Sequence, residues 1–231
     1  MKTFDTKTLD IVHEDEFCIV VNKPAGLAVQ GGKGIAVSLD GLLAASRAER
    51  PLLVHRLDRD TSGLILAAKD RKSAAFFSEL FAGRRGGGGP TVVKRYLALC
   101  GGIPERPAGT IRLPLDVRGS LKESETRFAL ARTFADRGFS LLELELGTGR
   151  MHQIRRHLAM TGLPVLGDDR YGDFALNRRL RKEIGLRKLL LHAAFLGISR
   201  MPDGSALELA VPPPGYFGEF LGKIDVARDL T

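Results

Sequence analysis

Hydrophobic and polar positions follow two periods along the chain. Apolar runs and two-residue alternation predict strands at 17–21, 52–54, 64–68, 92–99, 126–132, 139–146, 189–198 and 206–211. The pattern predicts helices at 39–47, 72–81 and 152–160. Strands interrupted by a few helices, without repeats of solenoid length, predict an α+β fold with antiparallel pairing.

Polar and glycine-rich segments separate these elements. Residues 23–26, Lys-Pro-Ala-Gly, form a turn sequence in which proline fixes φ and glycine tolerates a positive φ. Residues 83–90, GRRGGGGP, have too little side chain to pack, so they predict a flexible connection, either a hairpin tip or a mobile lid. Residues 55–63, HRLDRDTSG, form a polar loop after an apolar strand, where catalytic groups are commonly mounted.

The composition is that of a globular protein. The 231 residues are 44% hydrophobic and 27% charged, which excludes disordered, collagenous and fibrous chains. This length predicts a single domain over 1–231. No apolar run approaches the roughly 18 to 20 residues of a membrane span, and the N-terminus matches neither a secretory signal nor a transit peptide. We therefore expect a cytoplasmic protein with no membrane partner.

The charge balance favours a polyanionic partner. Lys and Arg number 35 against 27 Asp and Glu, a net charge of +8, and the pI is near 9.8. This is typical of nucleic-acid-binding proteins, although many other soluble proteins are mildly basic. Residues 178–188, RRLRKEIGLRK, are mostly basic, and a helical turn there would present a positive surface that we call the basic ridge. A solvated helix face is the alternative interpretation.

The loop at 55–63 holds the first candidate for catalysis. Arg56 and Arg59 flank Asp58, and a positive surround would keep this carboxylate ionised as a nucleophile or a base. A surface salt-bridge cluster would have the same composition. Asp58 and Asp60 could also suggest glycoside hydrolysis, but residues two apart in a turn seldom face one bond from opposite sides.

The second candidate is the segment 149–157, GRMHQIRRH, at the start of a predicted helix. His152 and Arg155 are three positions apart and Arg156 follows, so the first turn can present several donors to a carboxylate or a phosphate. His152 and His157 lack the four-residue spacing of a helical zinc pair, and we expect no metal. Phosphate-loop, dinucleotide-binding and nucleophile-elbow motifs are absent from the sequence.

Tyr96 is the third candidate. It follows Lys94 and Arg95 in an apolar strand, so it could stack on a base or offer its hydroxyl to a site. Most strand tyrosines are core residues with a satisfied hydroxyl. Cys18 and Cys100 lack C-x-x-C partners, which excludes a disulfide scaffold or a zinc ribbon.

Five sequence motifs that occur in a fixed order along the chain narrow the possible functions. They are VNKPAGLAVQGG, HRLDRDTSGLILAAKD, KRYLALCGG, GRMHQIRRHLAMTGLPVLGDDRYG and LLLHAAFLGI. From about residue 11 to about 211 they closely resemble the RluA family of RNA pseudouridine synthases. The resemblance implies that family's fold, a mixed and mostly antiparallel β-sheet flanked by helices and loops. It also implies isomerisation of uridine to pseudouridine in structured RNA, a reaction for which we expect no metal or organic cofactor.

The resemblance further implies a role for individual residues. The family's essential aspartate matches Asp58, its active-site tyrosine matches Tyr96, and the basic residue of its H-Q-I-R motif matches Arg155. Arg56 would hold the RNA with the uridine flipped out, and Leu191 would line the uracil pocket. An ion pair with Arg155 would orient Asp58 and keep it charged. Whether Asp58 attacks C1′ or takes a sugar proton stays open.

Contacts to RNA are expected from the catalytic domain itself. VNKPAG begins by residue 21, so we expect no S4-type RNA-binding domain ahead of it. We predict that the basic ridge, with Arg178 and Arg179, and the loop at 83–90 flank the RNA, with His152 as a further contact. The motifs lean towards large-subunit ribosomal RNA over transfer RNA. A non-catalytic RNA-binding protein and a base-excising glycosylase are the alternatives, and without a coiled-coil pattern we expect a monomer.

Overall fold

A computed structural model describes residues 4–5, 9–83 and 89–225. The described chain forms two compact units. The first unit contains the described residues up to Lys94 together with Ala193–Pro212, and the second contains Arg95–His192 with the described residues from Pro213 onwards. The single domain expected from the length stays a prediction. Residues 84–88 of the predicted flexible loop lie outside the described residues.

Strands dominate the described chain. In order they are β1 (Ile11–Glu14), β2 (Cys18–Lys23), β3 (Leu52–Leu53), β4 (Ser62–Ala68), β5 (Val92–Gly101), β6 (Ala108–Ile111), β7 (Leu115–Val117), β8 (Ser120–Lys122), β9 (Thr126–Phe134), β10 (Phe139–Leu146), β11 (Leu191–Ile198) and β12 (Leu207–Ala210). The helices are α1 (Leu39–Ser46), α2 (Arg71–Phe81), α3 (Gln153–Met160), α4 (Phe174–Glu183) and α5 (Gly215–Asp225). The predicted α+β class and the mostly antiparallel pairing are confirmed. No helix of the described residues is long and apolar enough to cross a bilayer.

The first unit is built on the order β1-β2-β4-β11, with β3 and β12 at the side of this path. β2 pairs antiparallel with both β1 and β4, and every residue of β4 is buried. Gly63 has a φ of +110°, and a Cβ there would overlap the carbonyl oxygen of Ala193. Only glycine therefore allows β4 and β11 to approach so closely at the end of the HRLDRDTSG segment.

Helix α2 covers the core of the first unit. It begins at its N-cap Asp70, whose carboxylate accepts the backbone N–H groups of Lys72 and Ser73. Its apolar face places Phe77 and Leu80 against side chains from the strands. The members of that core are Cys18, Val20, Leu64, Leu66, Ala68, Phe77, Leu80, Leu196, Ile198, Met201 and Leu207.

The second unit has the strand order β5-β10-β9-β6, with β7 and β8 as a separate hairpin. In the pairing of β10 with β5, Leu144 lies opposite Tyr96. Helices α4 and α5 contribute Leu180, Phe217 and Phe220 to a core built with strand residues such as Leu99. These contacts fix α4, which bears part of the basic ridge.

The helices depart from the sequence prediction at two places that matter for the site. Helix α3 begins at Gln153, one residue later than expected, because His152 has a φ of +54° in the left-handed region. Helix α4 ends at Glu183, so residues 184–188 of the basic ridge are not helical. The ridge is therefore a helix face followed by a loop.

Candidate active site

The segment containing Asp58 runs from β3 to β4 in the first unit. Leu57 is buried, and the backbone N–H of Thr61 donates to the carbonyl oxygen of Asp58 at 3.2 Å. This turn leaves Asp58 partly buried and Arg56 exposed. A partly buried carboxylate can react with a bound substrate. An exposed guanidinium in the same segment can reach into that substrate.

Lys23 joins this segment to the turn of the VNKPAG motif. Its side chain is fully buried, and its Nζ donates to the carbonyl oxygens of Arg59 at 2.9 Å, Leu27 at 2.9 Å and Pro24 at 3.1 Å. Three donors meeting three carbonyl oxygens satisfy the ammonium group without a carboxylate partner. The two motifs, far apart in sequence, are thereby held together.

The surroundings of Lys23 lower its pKa. Burial lowers the pKa to about 7, while the negative charges of Asp60 and Asp58 oppose this effect. Arg59 adds a second link between the segments, because its Nε donates to the carbonyl oxygen of Gly26 at 3.2 Å and its own carbonyl oxygen accepts the N–H of Gly26 at 2.9 Å. Lys23 was not among the candidates from the sequence, although a lysine that ends an apolar strand is a signal that could have identified it.

His55 has a structural role. Its Nε2 accepts the backbone N–H of Leu66 at 2.9 Å, and its ring stacks on Phe81 with centroids 4.0 Å apart. Burial, followed by the charge of Lys94, lowers the pKa of His55 to about 3. A ring that accepts a backbone hydrogen bond is neutral at that nitrogen, so His55 supports the Asp58 segment as a fixed, uncharged side chain.

Tyr96 and Leu191 belong to the second unit. Tyr96 is in β5 and is 8% exposed, and Leu191 is the buried first residue of β11. A buried aromatic ring and a buried leucine are the side chains that would surround a planar base.

Arg155 forms a buried ion pair with Asp168. Its Nε and Nη2 each lie 2.8 Å from a carboxylate oxygen of Asp168, and the two side chains are 5% and 1% exposed. Such bidentate geometry fixes both the position and the plane of a guanidinium. The guanidinium also lies 5.3 Å from the ring centroid of Tyr171.

Asp168 is itself held by the backbone. Its Oδ1 accepts the N–H groups of Arg170 at 2.9 Å and Tyr171 at 3.0 Å. Burial raises the pKa of Asp168, but the bonds from Arg155, Tyr171 and Arg170 outweigh it and bring the pKa below the ordinary value. Asp168 is therefore an anion, and sequence reasoning missed it because nothing in the spacing of residues 155 and 168 indicates a contact.

The left-handed turn at His152 places its ring beside Tyr171, which also contacts Arg155. The Nδ1 of His152 lies 3.1 Å from the hydroxyl of Tyr171. The next residue, Gln153, uses its side-chain carbonyl to accept from Thr148 and from the backbone of Arg150. The segment before α3 is thus fixed at several points, which holds His152 in a conformation that is uncommon for a residue with a side chain.

Arg178 and Arg179 are both exposed on α4. They are neighbours in sequence, but they line two different cavities of the second unit. The structure therefore divides the predicted residues: Arg56 and Asp58 belong to the first unit, and Tyr96, His152, Arg155, Arg178, Arg179 and Leu191 to the second. That Asp58 pairs with Arg155 stays a prediction.

Comparison with known proteins decides the family. The family model described as RNA pseudouridylate synthase matches residues 17–160. The ribosomal large subunit pseudouridine synthase C of Vibrio cholerae is 35% identical over 228 residues, covering 93% of this chain and 69% of the relative. Its namesake in Escherichia coli (strain K12) is 36% identical over 233 residues, covering 94% and 70%. The chain belongs to the RNA pseudouridylate synthase family.

Solved structures agree with this assignment. Human RNA pseudouridylate synthase domain containing 4 has a TM-score of 0.78 and 27% identity, and 95% of each chain is covered. Human RNA pseudouridylate synthase domain containing 1 has a TM-score of 0.74 and 25% identity, covering 100% of this chain and 98% of that one. The family and the enzyme class inferred from the five motifs are confirmed.

The family match spans most of the residues assigned from the motifs. Residues 17–160 include Arg56, Asp58, Tyr96 and Arg155, whereas Asp168 lies beyond that range.

One group of side chains in the pseudouridine synthase fold has the composition of a metal site. Ligand atoms of His13, Asp15 and Cys18 lie within 4.8 Å of one another. Asp15 already accepts the N–H groups of Phe17 and Cys18 and meets His13 Nε2 at 2.9 Å. Burial raises the pKa of the Cys18 thiol, which opposes the thiolate that a metal needs. We assign these contacts to the turn between β1 and β2.

Proposed function

We propose that this protein isomerises uridine to pseudouridine in large-subunit ribosomal RNA. The observation that supports this target is the similarity of nearly the whole chain, 93% in one case, to enzymes named as ribosomal large subunit pseudouridine synthases. The net charge of +8 agrees with a polyanionic substrate.

The reaction exchanges one glycosidic bond for another and moves one hydrogen. The N1–C1′ bond breaks, the uracil turns, C5 bonds to C1′, and the hydrogen on C5 is replaced by one on N1. No electrons are gained or lost, so the chain's own acids and bases suffice. The proposal gives Asp58 the central role, either as a nucleophile at C1′ or as the base that takes a sugar proton.

Access to the glycosidic bond requires that the uridine leave its stack. Arg56 is exposed beside Asp58 in the same segment, so its guanidinium would occupy the space that the base vacates. Lys23 and Arg59 hold that segment against the VNKPAG turn, which would limit the motion of Asp58 when RNA binds.

Tyr96 and Leu191 would enclose the detached uracil. In the proposal the ring of Tyr96 packs on the base and its hydroxyl moves the proton from C5, while Leu191 lines the other side of the pocket. An enclosed base cannot diffuse away, which distinguishes an isomerase from a glycosylase that releases it.

Arg155 would keep Asp58 ionised and oriented. Two hydrogen bonds to Asp168 fix the position and the plane of the guanidinium. The group that would meet Asp58 is therefore preorganised before RNA binds. In this arrangement Asp168 acts on Asp58 only through Arg155, so it is a positioning residue.

Purified protein and transcribed, unmodified RNA test this proposal. Incubation with large-subunit ribosomal RNA should form pseudouridine without free uracil, and a transfer RNA pool should stay unmodified. Asp58→Asn should bind the ribosomal RNA but form no product. Product in transfer RNA alone would contradict the target, free uracil would indicate a glycosylase, and no product from any RNA would contradict the isomerase assignment.

A further inference from the structure

Two cavities flank helix α4 in the second unit. One, of about 230 Å³, is lined by Gly167, Asp168, Asp169, Phe174, Asn177, Arg178, Arg181, Leu186 and Arg187. The other, of about 470 Å³, is lined by Arg137, Gly138, Phe139, Asp173, Ala175, Leu176 and Arg179. We call them the Arg178 cavity and the Arg179 cavity.

Helical geometry explains why adjacent arginines separate. Phe174, Arg178 and Arg181 are spaced by four and three residues, so they share one face of α4. Arg179 is turned away from Arg178 by about 100° because an α-helix has about 3.6 residues per turn. The basic ridge therefore has two faces of different composition.

The Arg178 cavity combines positive charge with an exposed aromatic ring. Arg178, Arg181 and Arg187 are exposed, and among the described residues none forms an ion pair with them. Phe174 is 56% exposed, although a large apolar side chain on a helix usually faces the core. Of the two acids that line the cavity, Asp168 is paired with Arg155 and Asp169 is 82% exposed at 3.5 Å from the same guanidinium.

The Arg179 cavity lacks this combination. Its only lining aromatic side chain, Phe139, is 3% exposed and belongs to the core. Asp173 lines it together with the two arginines, and its carboxylate caps α4 by accepting the N–H of Leu176. It can attract an anion through charge, but it offers no surface on which a base could stack.

We propose that the Arg178 cavity binds one unpaired nucleotide of the RNA substrate. The base stacks on Phe174, and Arg178, Arg181 and Arg187 contact the phosphates on either side. Stacking on an aromatic ring tolerates any base, and a guanidinium matches a phosphate with two hydrogen bonds. A volume of about 230 Å³ is below the roughly 300 to 1,000 Å³ of drug-sized sites, so it can hold the base of one nucleotide while the phosphates stay at the exposed arginines.

The cavity is connected to the catalytic arginine through Asn177. The side chain of Asn177 accepts the N–H of Gly167 at 2.9 Å and donates to the carbonyl oxygen of Asp168 at 2.9 Å. Asp168 in turn holds Arg155. A nucleotide in the cavity would therefore bind against the segment that positions Arg155, close to where the proposed reaction needs its RNA.

This inference rests on the proposed function only in taking RNA as the substrate, and binding measurements test it separately from activity. The probes are transcribed large-subunit ribosomal RNA and a perfect RNA duplex. Arg178→Ala/Arg181→Ala should weaken binding of the ribosomal RNA by about tenfold or more and lower the slope of log K against log salt by about 1 per arginine. Arg106→Ala/Lys122→Ala, which removes two exposed positive charges of the second unit that line neither cavity, should change the affinity less than about twofold.

Substitutions of Phe174 distinguish the contribution of base stacking to RNA binding from the contribution of charge. Phe174→Leu should weaken binding of the ribosomal RNA by about fivefold or more, because the aromatic surface is lost, whereas Phe174→Tyr should bind like the unchanged protein. Neither variant should alter binding of the duplex, which offers no unpaired base. The KM for pseudouridine formation should rise with Phe174→Leu while kcat stays the same.

Three results would overturn the inference. Equal losses from the two double variants would show that only the overall charge matters. Phe174→Leu with unchanged affinity would show that no base stacks there, and equal losses on ribosomal RNA and duplex would show that the nucleotide need not be unpaired. If the unchanged protein forms no pseudouridine, the proposed function fails, and the same affinities still decide whether the cavity binds a nucleotide.

Discussion

Asp168 holds Arg155 with two hydrogen bonds of 2.8 Å, and both side chains are withdrawn from water. A long side chain such as arginine has many rotamers, so a bidentate partner removes most of the freedom that it would otherwise keep. The guanidinium is therefore placed before any RNA arrives. Preorganisation of this kind supports catalysis only if the exact position of Arg155 matters to the reaction.

Replacing Asp168 by asparagine tests that requirement. Asp168→Asn keeps the shape but removes the charge, and we expect the single-turnover rate of pseudouridine formation to fall by about 10²-fold. RNA affinity should change much less, because the loss acts on Asp58 through Arg155. The free energy of unfolding should fall by about 3–5 kcal/mol, since one partner of a buried ion pair is removed.

The neighbouring Asp169 supplies the matched control. Its carboxylate is 82% exposed and 3.5 Å from Arg155, so Asp169→Asn should leave the rate within about threefold and the stability within about 0.5 kcal/mol. Rates are compared at temperatures where urea titrations show both variants folded. Equal rates for the two folded variants would contradict the positioning role of Asp168.

Lys23 makes the stability of the protein depend on pH. The pKa of Lys23 falls from 10.5 to about 7 on folding, so between these values the unfolded chain binds a proton that the folded chain has released. The free energy of unfolding contributed by Lys23 therefore rises with pH across this window, by up to about 1.4 kcal/mol per pH unit.

Urea titrations between pH 6 and pH 9 measure this contribution. The difference in unfolding free energy between the unchanged protein and Lys23→Met should rise above pH 7, because the variant lacks the titrating group. Lys69→Met is the control for the loss of one lysine, since Lys69 is only partly buried and pairs with Glu14 at 3.1 Å. A difference for Lys23→Met that rises no more with pH than the difference for Lys69→Met would show that the pKa of Lys23 is not lowered.

The hydrophobic pattern predicted the elements that have one buried face. In β10, Leu142 and Leu144 are buried while Glu143 and Glu145 are more exposed, as the alternation predicts. The apolar run of β4 is buried throughout. The hairpin of β7 and β8 was not predicted, because β8 is exposed along its whole length and has no buried face to read. Helix α5 was missed for another reason: Phe217, Phe220 and Ile224 have helical spacing, but glycines at 215, 218 and 222 lower the helix propensity.

Some residues of the candidate site could likewise be predicted from the sequence, and others could not. Motif residues such as Asp58 and Tyr96 could be named from the sequence because their neighbours define a pattern. Asp168 could not, because its partner is a guanidinium that only the fold brings near. Lys23 could be noticed at the end of an apolar strand, but its three carbonyl partners could not be foreseen. That Arg178 and Arg179 line different cavities also required the fold, because distant segments complete each cavity.

Arg56 is expected to act after RNA has bound. Arg56→Ala should lower the single-turnover rate by about tenfold or more, because the flipped state loses the side chain that replaces the base, while the affinity for ribosomal RNA changes less than about threefold. Arg50→Ala, which removes another exposed arginine of the first unit, should leave both quantities unchanged. A loss of affinity without a loss of rate would make Arg56 a simple phosphate contact.

The role of the Tyr96 hydroxyl can be distinguished from the role of its ring. Tyr96→Phe keeps the packing surface and should lower the rate by about 10²-fold if the hydroxyl moves the C5 proton. Release of tritium from [5-³H]uridine-labelled ribosomal RNA measures that step directly. Tyr96→Leu should in addition weaken binding of the RNA. Full turnover by Tyr96→Phe would leave packing as the role of this residue.

The proposed reaction depends on Asp58, and nucleotide-resolution mapping of pseudouridine in cellular RNA tests this dependence. Cells with the gene intact, with the gene deleted, and with the deletion complemented by the unchanged gene or by Asp58→Asn are compared in ribosomal and transfer RNA. We predict that specific sites in large-subunit ribosomal RNA are lost on deletion, restored by the unchanged gene, and not restored by Asp58→Asn present at the same protein level. Restoration of every site by Asp58→Asn would contradict the account.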